Sequence, residues 1–217
     1  MQTKDHLALG HYLAYTFEIN QSVNYYAFVL GNIMPDINKF SYIRGYFQLL
    51  DENKREKKTR HLTINDHRRM LIGGHTAEGS RFFVNRTYRK LTKKVNLTLW
   101  DYYRLGKAMH YLADRFTYPH TMLYYDGFFS HIRYEKELHY HMYNMLTRIP
   151  DVRFLVKKCF AHIDFNGMYR SYRKEAGKPE YDCLYILAVC IAYFDNILYN
   201  KYIIFGKNGE GDDRWGG

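Results

Sequence analysis

The chain has 217 residues, of which 47% are hydrophobic and 18% aromatic. This composition supports a sizeable buried core, which excludes intrinsic disorder, and the length suits one domain. The net charge of +10 raises the rate of encounter with polyanions without choosing between nucleic acid and an anionic lipid surface. Three cysteines without C-x-x-C spacing predict neither a disulfide framework nor a thiolate zinc site.

Helical spacing of apolar residues runs through most of the chain, and strand-like alternation is nearly absent. The pattern predicts an all-α, single-domain, multi-helix bundle. Its first residues show neither a long apolar stretch nor a cleavage site, so no signal peptide is readable and a cytoplasmic location is expected. The predicted helices are, in chain order, 6–18, 22–33, 76–94, 100–117, 130–147, 151–163 and 180–204, with Pro35, Pro119, Pro150 and Pro179 near breaks.

The last predicted helix contains the most apolar run, Cys183 to Phe194, which is bounded by Asp182 and Asp195. At about twelve residues the run is short of the ~20 that a spanning helix needs, so we expect a core helix and no transmembrane segment. We assign residues 1–205 to the domain. Residues 206–217 are rich in Gly and Asp and are expected to form a disordered tail.

The segment 106–142 holds the most informative residues, in the pattern H-x3-D-x5-H-x10-H-x3-E. His110 and Asp114 lie four residues apart in one predicted helix, and His131 and Glu135 repeat this spacing in the next, so each pair shares a helix face. His120 follows Pro119, where the first helix must stop. A single residue of this kind is usually a surface ion pair or a satisfied core histidine, whereas the joint pattern indicates metal ligands.

Imidazole nitrogen and carboxylate oxygen are the donors that zinc accepts when thiolates are absent, and mixed His/Asp sets are typical of open catalytic sites. The segment resembles the zinc-dependent phospholipase C family of helical proteins, which is related to the S1/P1-type single-strand nucleases. The resemblance is strongest in the strings LGKAMHYLADRFTYPH and HIRYE. Three upstream elements match in the same order, HLALG with His6, LGNIMPD with Asp36 and GGHTAEG with His75.

The resemblance implies up to three zinc ions in one pocket. One ion would be held by Asp36, His75, His110 and Asp114. Asp114 would also bridge to a second ion, which His6 holds. His120, His131 and Glu135 would hold the third. In the family the second ion is also held by the amino group and carbonyl of the first mature residue. Unless Met1 or a trimmed N-terminus folds back here, the resemblance implies a second ion that is weakly held, ligated by water instead, or absent.

His11 is the rival of His6, but positions five apart differ by about 140° around a helix, so both cannot easily enter one pocket. We prefer His6 for its HLALG context. His61 and His67 are weaker rivals of His75. His139 is a candidate for a residue that contacts the metal ligands without binding a metal itself.

The resemblance implies a zinc-dependent phosphodiesterase of the phospholipase C type, in which a metal-activated water attacks phosphorus and Asp36 also accepts a proton. Its substrate would be a phospholipid or another phosphodiester, met in transient contact with an anionic membrane surface. Two alternatives stay open. One is an S1/P1-type single-strand nuclease or 3′-nucleotidase, for which nucleic acid is the partner, and the other is a non-enzymatic helical protein stabilised by metal.

Overall fold

The computed structural model describes residues 1–19, 22–38, 75, 77–121, 123–124, 128–149, 151–159 and 165–199. Within these ranges the chain forms α-helices and short 3₁₀ segments and contains no strand, so the all-α prediction is confirmed. The α-helices are α1 (Thr3–Thr16), α2 (Val23–Ile37), α3 (Ala77–Leu91), α4 (Leu99–Arg115), α5 (Phe128–Arg148), α6 (Val152–Cys159), α7 (Phe165–Glu175) and α8 (Pro179–Tyr199). The 3₁₀ helix spans Tyr118–His120, between α4 and α5.

The largest differences from the predicted helices are at α2 and α7. Helix α2 continues past Pro35 to Ile37, because a proline in the last turn removes a single backbone donor and the Asn38 amide still bonds to the Met34 carbonyl at 2.9 Å. Asp36 therefore lies on the helix. Helix α7 has no predicted counterpart, because polar and charged residues make up six of its eleven positions and, among its described side chains, only Met168 and Tyr172 are buried apolar residues.

Helix α8 is the central core helix and packs against α3, α4, α5, α6 and α7. It has 21 residues and agrees with the predicted helix 180–204 at its start, and it includes both Asp182 and Asp195. Asp182 accepts a hydrogen bond from the Tyr134 hydroxyl and Asp195 pairs with Arg153, so neither carboxylate is buried alone. In the described residues this is the one helix long and apolar enough to cross a membrane, but 78% of its apolar window is buried inside the fold.

Helices α2 and α4 approach each other at backbone distance. A Cβ atom added at Gly31 would lie 2.1 Å from the Tyr103 carbonyl oxygen, and one added at Gly106 would lie 2.0 Å from the Phe28 carbonyl oxygen. Only glycine allows this approach, because any side chain would overlap the facing backbone. The crossing brings Asn32 and Asp36 of α2 beside the ligand-bearing half of α4.

Helix α4 begins at a defined point because its first turn is capped. The Thr98 amide and hydroxyl donate to Asp101 Oδ2 at 3.0 and 2.7 Å, and Lys94 pairs with the same oxygen. Such a capping box satisfies backbone donors that the first turn leaves without partners. The helix ends at Arg115, four residues before Pro119.

Candidate metal centre

All the predicted ligands converge, although they come from six separate places in the chain. Among the described residues, four overlapping sets of three residues have ligand atoms within 4.8 Å of one another. The residues are His6 of α1, Asp36 of α2, His75 ahead of α3, His110 and Asp114 of α4, His120 of the 3₁₀ helix, and His131 and Glu135 of α5. The candidate centre therefore depends on the packing of the helices and on no single element.

The Asp114 carboxylate is the centre of the cluster and is fully buried. Its Oδ2 lies 2.7 Å from His75 Nδ1 and 3.2 Å from His110 Nε2, whereas its Oδ1 lies 3.1 Å from His6 Nε2. Burial alone raises the pKa of this carboxyl, but the Met1 ammonium and the surrounding imidazoles outweigh burial and hold the pKa well below its usual range. The ionised carboxylate thus points its two oxygens at two different groups of ligands.

The first group contains Asp36, His75 and His110. His110 Nε2 lies 3.0 Å from His75 Nδ1 and 3.5 Å from Asp36 Oδ1. On the other side of the ring, His110 Nδ1 lies 2.8 Å from the carbonyl oxygen of Asn32. A proton on Nδ1 donated to that carbonyl leaves the lone pair of Nε2 facing the group, which is how proteins orient a histidine that binds metal.

The second group contains His6, Asp114 and the amino terminus. His6 is fully buried and stacks on the His110 ring with centroids 3.7 Å apart. Burial, together with the neighbouring His110, lowers the pKa of His6 to about 4, so this imidazole is neutral at pH 7, the form that binds metal. The Asn32 side chain donates to the His6 carbonyl at 2.5 Å and so ties α1 to α2.

Met1 folds back into the cluster and is only 5% exposed. Its amino nitrogen lies 3.1 Å from Asp114 Oδ1, 3.3 Å from Glu135 Oε1 and 3.5 Å from His120 Nε2. Burial lowers the pKa of this amine, but Asp114 and Glu135 outweigh burial and raise the pKa to about 10. An ammonium group therefore sits among the carboxylates, which is a position that suits a cation.

The third group contains His120, His131 and Glu135. Glu135 Oε1 lies 3.2 Å from His131 Nε2 and 3.6 Å from His120 Nε2. Although burial raises the pKa of Glu135, hydrogen bonds from the two histidines outweigh it and lower the pKa. The His131 side chain is 25% exposed and that of Asp114 is 0% exposed, so the centre faces solvent on the side of the third group.

Among the described residues, His11 and His139 do not belong to these groups. His11 is exposed and contacts the Tyr25 hydroxyl with its Nδ1 at 2.5 Å, so it does not replace His6. His139 pairs with Asp5, whose other oxygen accepts the Gln2 amide at 3.1 Å, so this pair fastens the start of α1 next to Met1. The rivals 61 and 67 lie outside the described residues, as does the predicted tail.

Sequence reasoning did not find Asn32 or Asp5. Asn32 belongs to the LGNIMPD string that was noted only for Asp36, and its position four residues before Asp36 on the same helix face was the available signal. Asp5 directly precedes His6 and is the third residue of α1, where a carboxylate commonly caps a helix.

The donor set fits zinc. Its members are imidazole nitrogens and carboxylate oxygens with no thiolate, and at least one imidazole has its second nitrogen fixed by a backbone carbonyl. In addition, Asp36 Oδ2 is buried and has no hydrogen-bond partner within the described part of the chain. A buried carboxylate oxygen of this kind normally has a partner, and a cation would supply one.

Comparison with known proteins gives one family. The family model described as zinc dependent phospholipase C matches residues 5–196, a range that includes all the candidate ligands except the Met1 amine. A search of curated proteins and a search of solved structures give no match.

Proposed function

The chain belongs to the zinc-dependent phospholipase C family, and we propose that it is a phospholipase C-type phosphodiesterase that hydrolyses a phospholipid at a zinc centre. The observation that carries the proposal is the position of Asp114, which directs one carboxylate oxygen at each of two ligand groups. This is the arrangement that a bridging ligand between two metal ions requires.

The ligand groups suggest up to three ions. Asp36, His75, His110 and Asp114 would hold one, and His120, His131 and Glu135 would hold another. His6 and Asp114 would hold the remaining ion together with the Met1 amino nitrogen, which must first lose its proton to bind. Zinc supplies Lewis acidity at such a centre, activating water and neutralising charge on phosphate oxygens.

The residues of the chain have distinct tasks in this proposal. Asp36 is the candidate proton acceptor as well as a ligand of the first group, because one of its two carboxylate oxygens can hold the metal while the other takes the proton. The third group lies nearest to solvent, so a phosphate ester would enter on the side of His131. The buried second group would hold its metal away from solvent.

The proposed substrate is a phospholipid, in keeping with the family description. The net charge of +10 favours encounter with an anionic membrane surface, and this attraction decreases as salt screens the charges. We therefore propose transient contact with such a surface during turnover.

The test uses protein purified without a His tag and with no residue ahead of Met1, alongside the variant Asp114→Asn. Metal analysis counts the bound zinc, and the release of phosphorylated head groups is measured on vesicles of zwitterionic lipid with and without anionic lipid. We expect bound zinc and head-group release in the wild type. The variant keeps the third group intact, so it should bind fewer zinc ions and release no head group. Absence of bound zinc, or cleavage of single-stranded nucleic acid in place of lipid, would overturn the proposal.

A further inference from the structure

A second buried carboxyl group lies outside the ligand cluster, in the first turn of α8. The Asp182 side chain is 0% exposed, and its Oδ2 accepts two hydrogen bonds. One comes from the Tyr118 backbone amide and the other from the Tyr134 hydroxyl, both at 2.7 Å. Burying a carboxyl group is costly unless it is hydrogen-bonded, so both donors are held firmly to this oxygen.

The two donors belong to the elements that carry the third ligand group. Tyr118 opens the 3₁₀ helix that ends at His120, and Tyr134 directly precedes Glu135 in α5. One carboxylate oxygen therefore joins α8 to both elements. A shift of Asp182 would therefore be transmitted to two ligands, to His120 through Tyr118 two positions before it, and to Glu135 through the adjacent Tyr134.

The faces of α5 explain how one helix serves both partners. His131 and Glu135, four residues apart, point to the ligand group, whereas Tyr134 and the buried Leu138 form a neighbouring face. That face packs on α8, where the Cys183 thiol lies 3.6 Å from the Leu138 carbonyl oxygen and Asp182 meets the Tyr134 hydroxyl. The contact with α8 thus sets the rotation of α5 about its axis.

We propose that Asp182 is a positioning residue for the third ligand group and that it keeps His120 within reach of His131 and Glu135. This inference rests on the proposed zinc centre. The third group depends on such support because it is the least buried part of the centre, with the side chains of His131 and Glu135 25% and 16% exposed. Its ligands are less confined by surrounding atoms than the fully buried His6, His110 and Asp114.

The test compares two Tyr→Phe variants that each delete one buried hydroxyl. Tyr134→Phe removes a donor to Asp182, and Tyr193→Phe, on α8 itself, removes a hydroxyl that donates to the Val84 carbonyl at 2.9 Å. Zinc affinity is measured by competition with a chromogenic chelator, and cadmium NMR of the metal-loaded proteins separates the ligand groups. We expect Tyr134→Phe to weaken one metal ion about tenfold or more, the size usual for loss of a partner that orients ligands.

Tyr193→Phe is expected to lower the melting temperature and leave every metal affinity unchanged. Asp182→Asn is a second test. It keeps an acceptor oxygen but removes the carboxylate charge, and it should lower the affinity for the same metal ion. Equal metal affinities in Tyr134→Phe and Tyr193→Phe would overturn the positioning role while the zinc centre stands. A wild-type protein without zinc would overturn the proposed function, and the positioning role with it.

Discussion

The backbone contact between α2 and α4 makes Gly106→Ala a sharp test of how the centre is assembled. The added Cβ would lie 2.0 Å from the Phe28 carbonyl oxygen. Carbon and oxygen atoms in such contacts are normally about 3.3 Å apart, so the two helices would have to separate by about 1.3 Å. Since the atom it meets is backbone, no side-chain rotation relieves the overlap.

The expected cost combines two opposing effects. Overpacking in a close-packed interior costs about 1–3 kcal/mol, and the upper end applies because the overlap is with backbone. Alanine in place of a helical glycine returns about 1 kcal/mol of helix propensity. A net destabilisation of about 2 kcal/mol follows, which in a chain of this length corresponds to a melting temperature lower by roughly 4–8 °C.

The separation would also move ligands, because the Asn32 carbonyl on α2 orients the His110 ring on α4 at 2.8 Å. We therefore expect Gly106→Ala to weaken zinc binding as well as stability. Thermal unfolding with and without added zinc measures both effects, and Arg104→Ala, on the exposed side of α4, is the control. Gly31→Ala combined with Gly106→Ala should cost less than the sum of the single variants, since one separation relieves both overlaps. A melting temperature within about 1 °C of wild type would refute the backbone contact.

Three further predictions concern the ligands and the cap of α4. Removal of zinc by a chelator should lower the melting temperature of the wild type, because a ligand that binds only the folded state stabilises it. Calorimetry should show a smaller shift for Asp114→Asn, which keeps only the third ligand group intact. A chain with two extra residues ahead of Met1 has an amide in place of the amine that lies 3.1 Å from Asp114, so metal analysis should find fewer bound zinc ions than in a chain extended at its C-terminus. Burial raises the pKa of Asp101, but hydrogen bonds from Lys94 and Thr98 outweigh it and bring the pKa to about 2 from the usual 3.8. The folded state therefore binds a proton at Asp101 less readily than the unfolded state does. As a result, about 2 kcal/mol of stability that is present above pH 4 should be lost as the pH falls from 4 to 2. Asp101→Asn should not show this loss when its unfolding is followed over the same pH range.

Much of the fold followed from helical periodicity. The positions of seven helices were predicted because each buries an apolar stripe at helical spacing, which is a local property of the chain. Helix α7 was missed because polar and charged residues make up six of its eleven positions. The prediction of a helix over 180–204 already ran through Asp182 and Asp195, but their partners, Tyr134 and Arg153, come from distant segments and could not be read from the sequence.

The candidate ligands were named from sequence because each pair on α4 and α5 has the four-residue spacing of one helix face, and the remaining residues stood in recognisable strings. That is information along the chain, and the family match confirms the resemblance from which the ligand set was taken, without testing the ligands themselves. Their assignment as zinc ligands, the number of ions and the location in the cell stay predictions.

Only the tertiary structure decided what surrounds those ligands. The fold placed the Met1 amine 3.1 Å from Asp114, turned the Asn32 carbonyl toward His110 and joined Tyr118 and Tyr134 through Asp182. These contacts link residues that are 48 to 113 positions apart in the sequence. Periodicity and spacing describe neighbours within a few turns of one helix, whereas such partners meet only when separate helices pack.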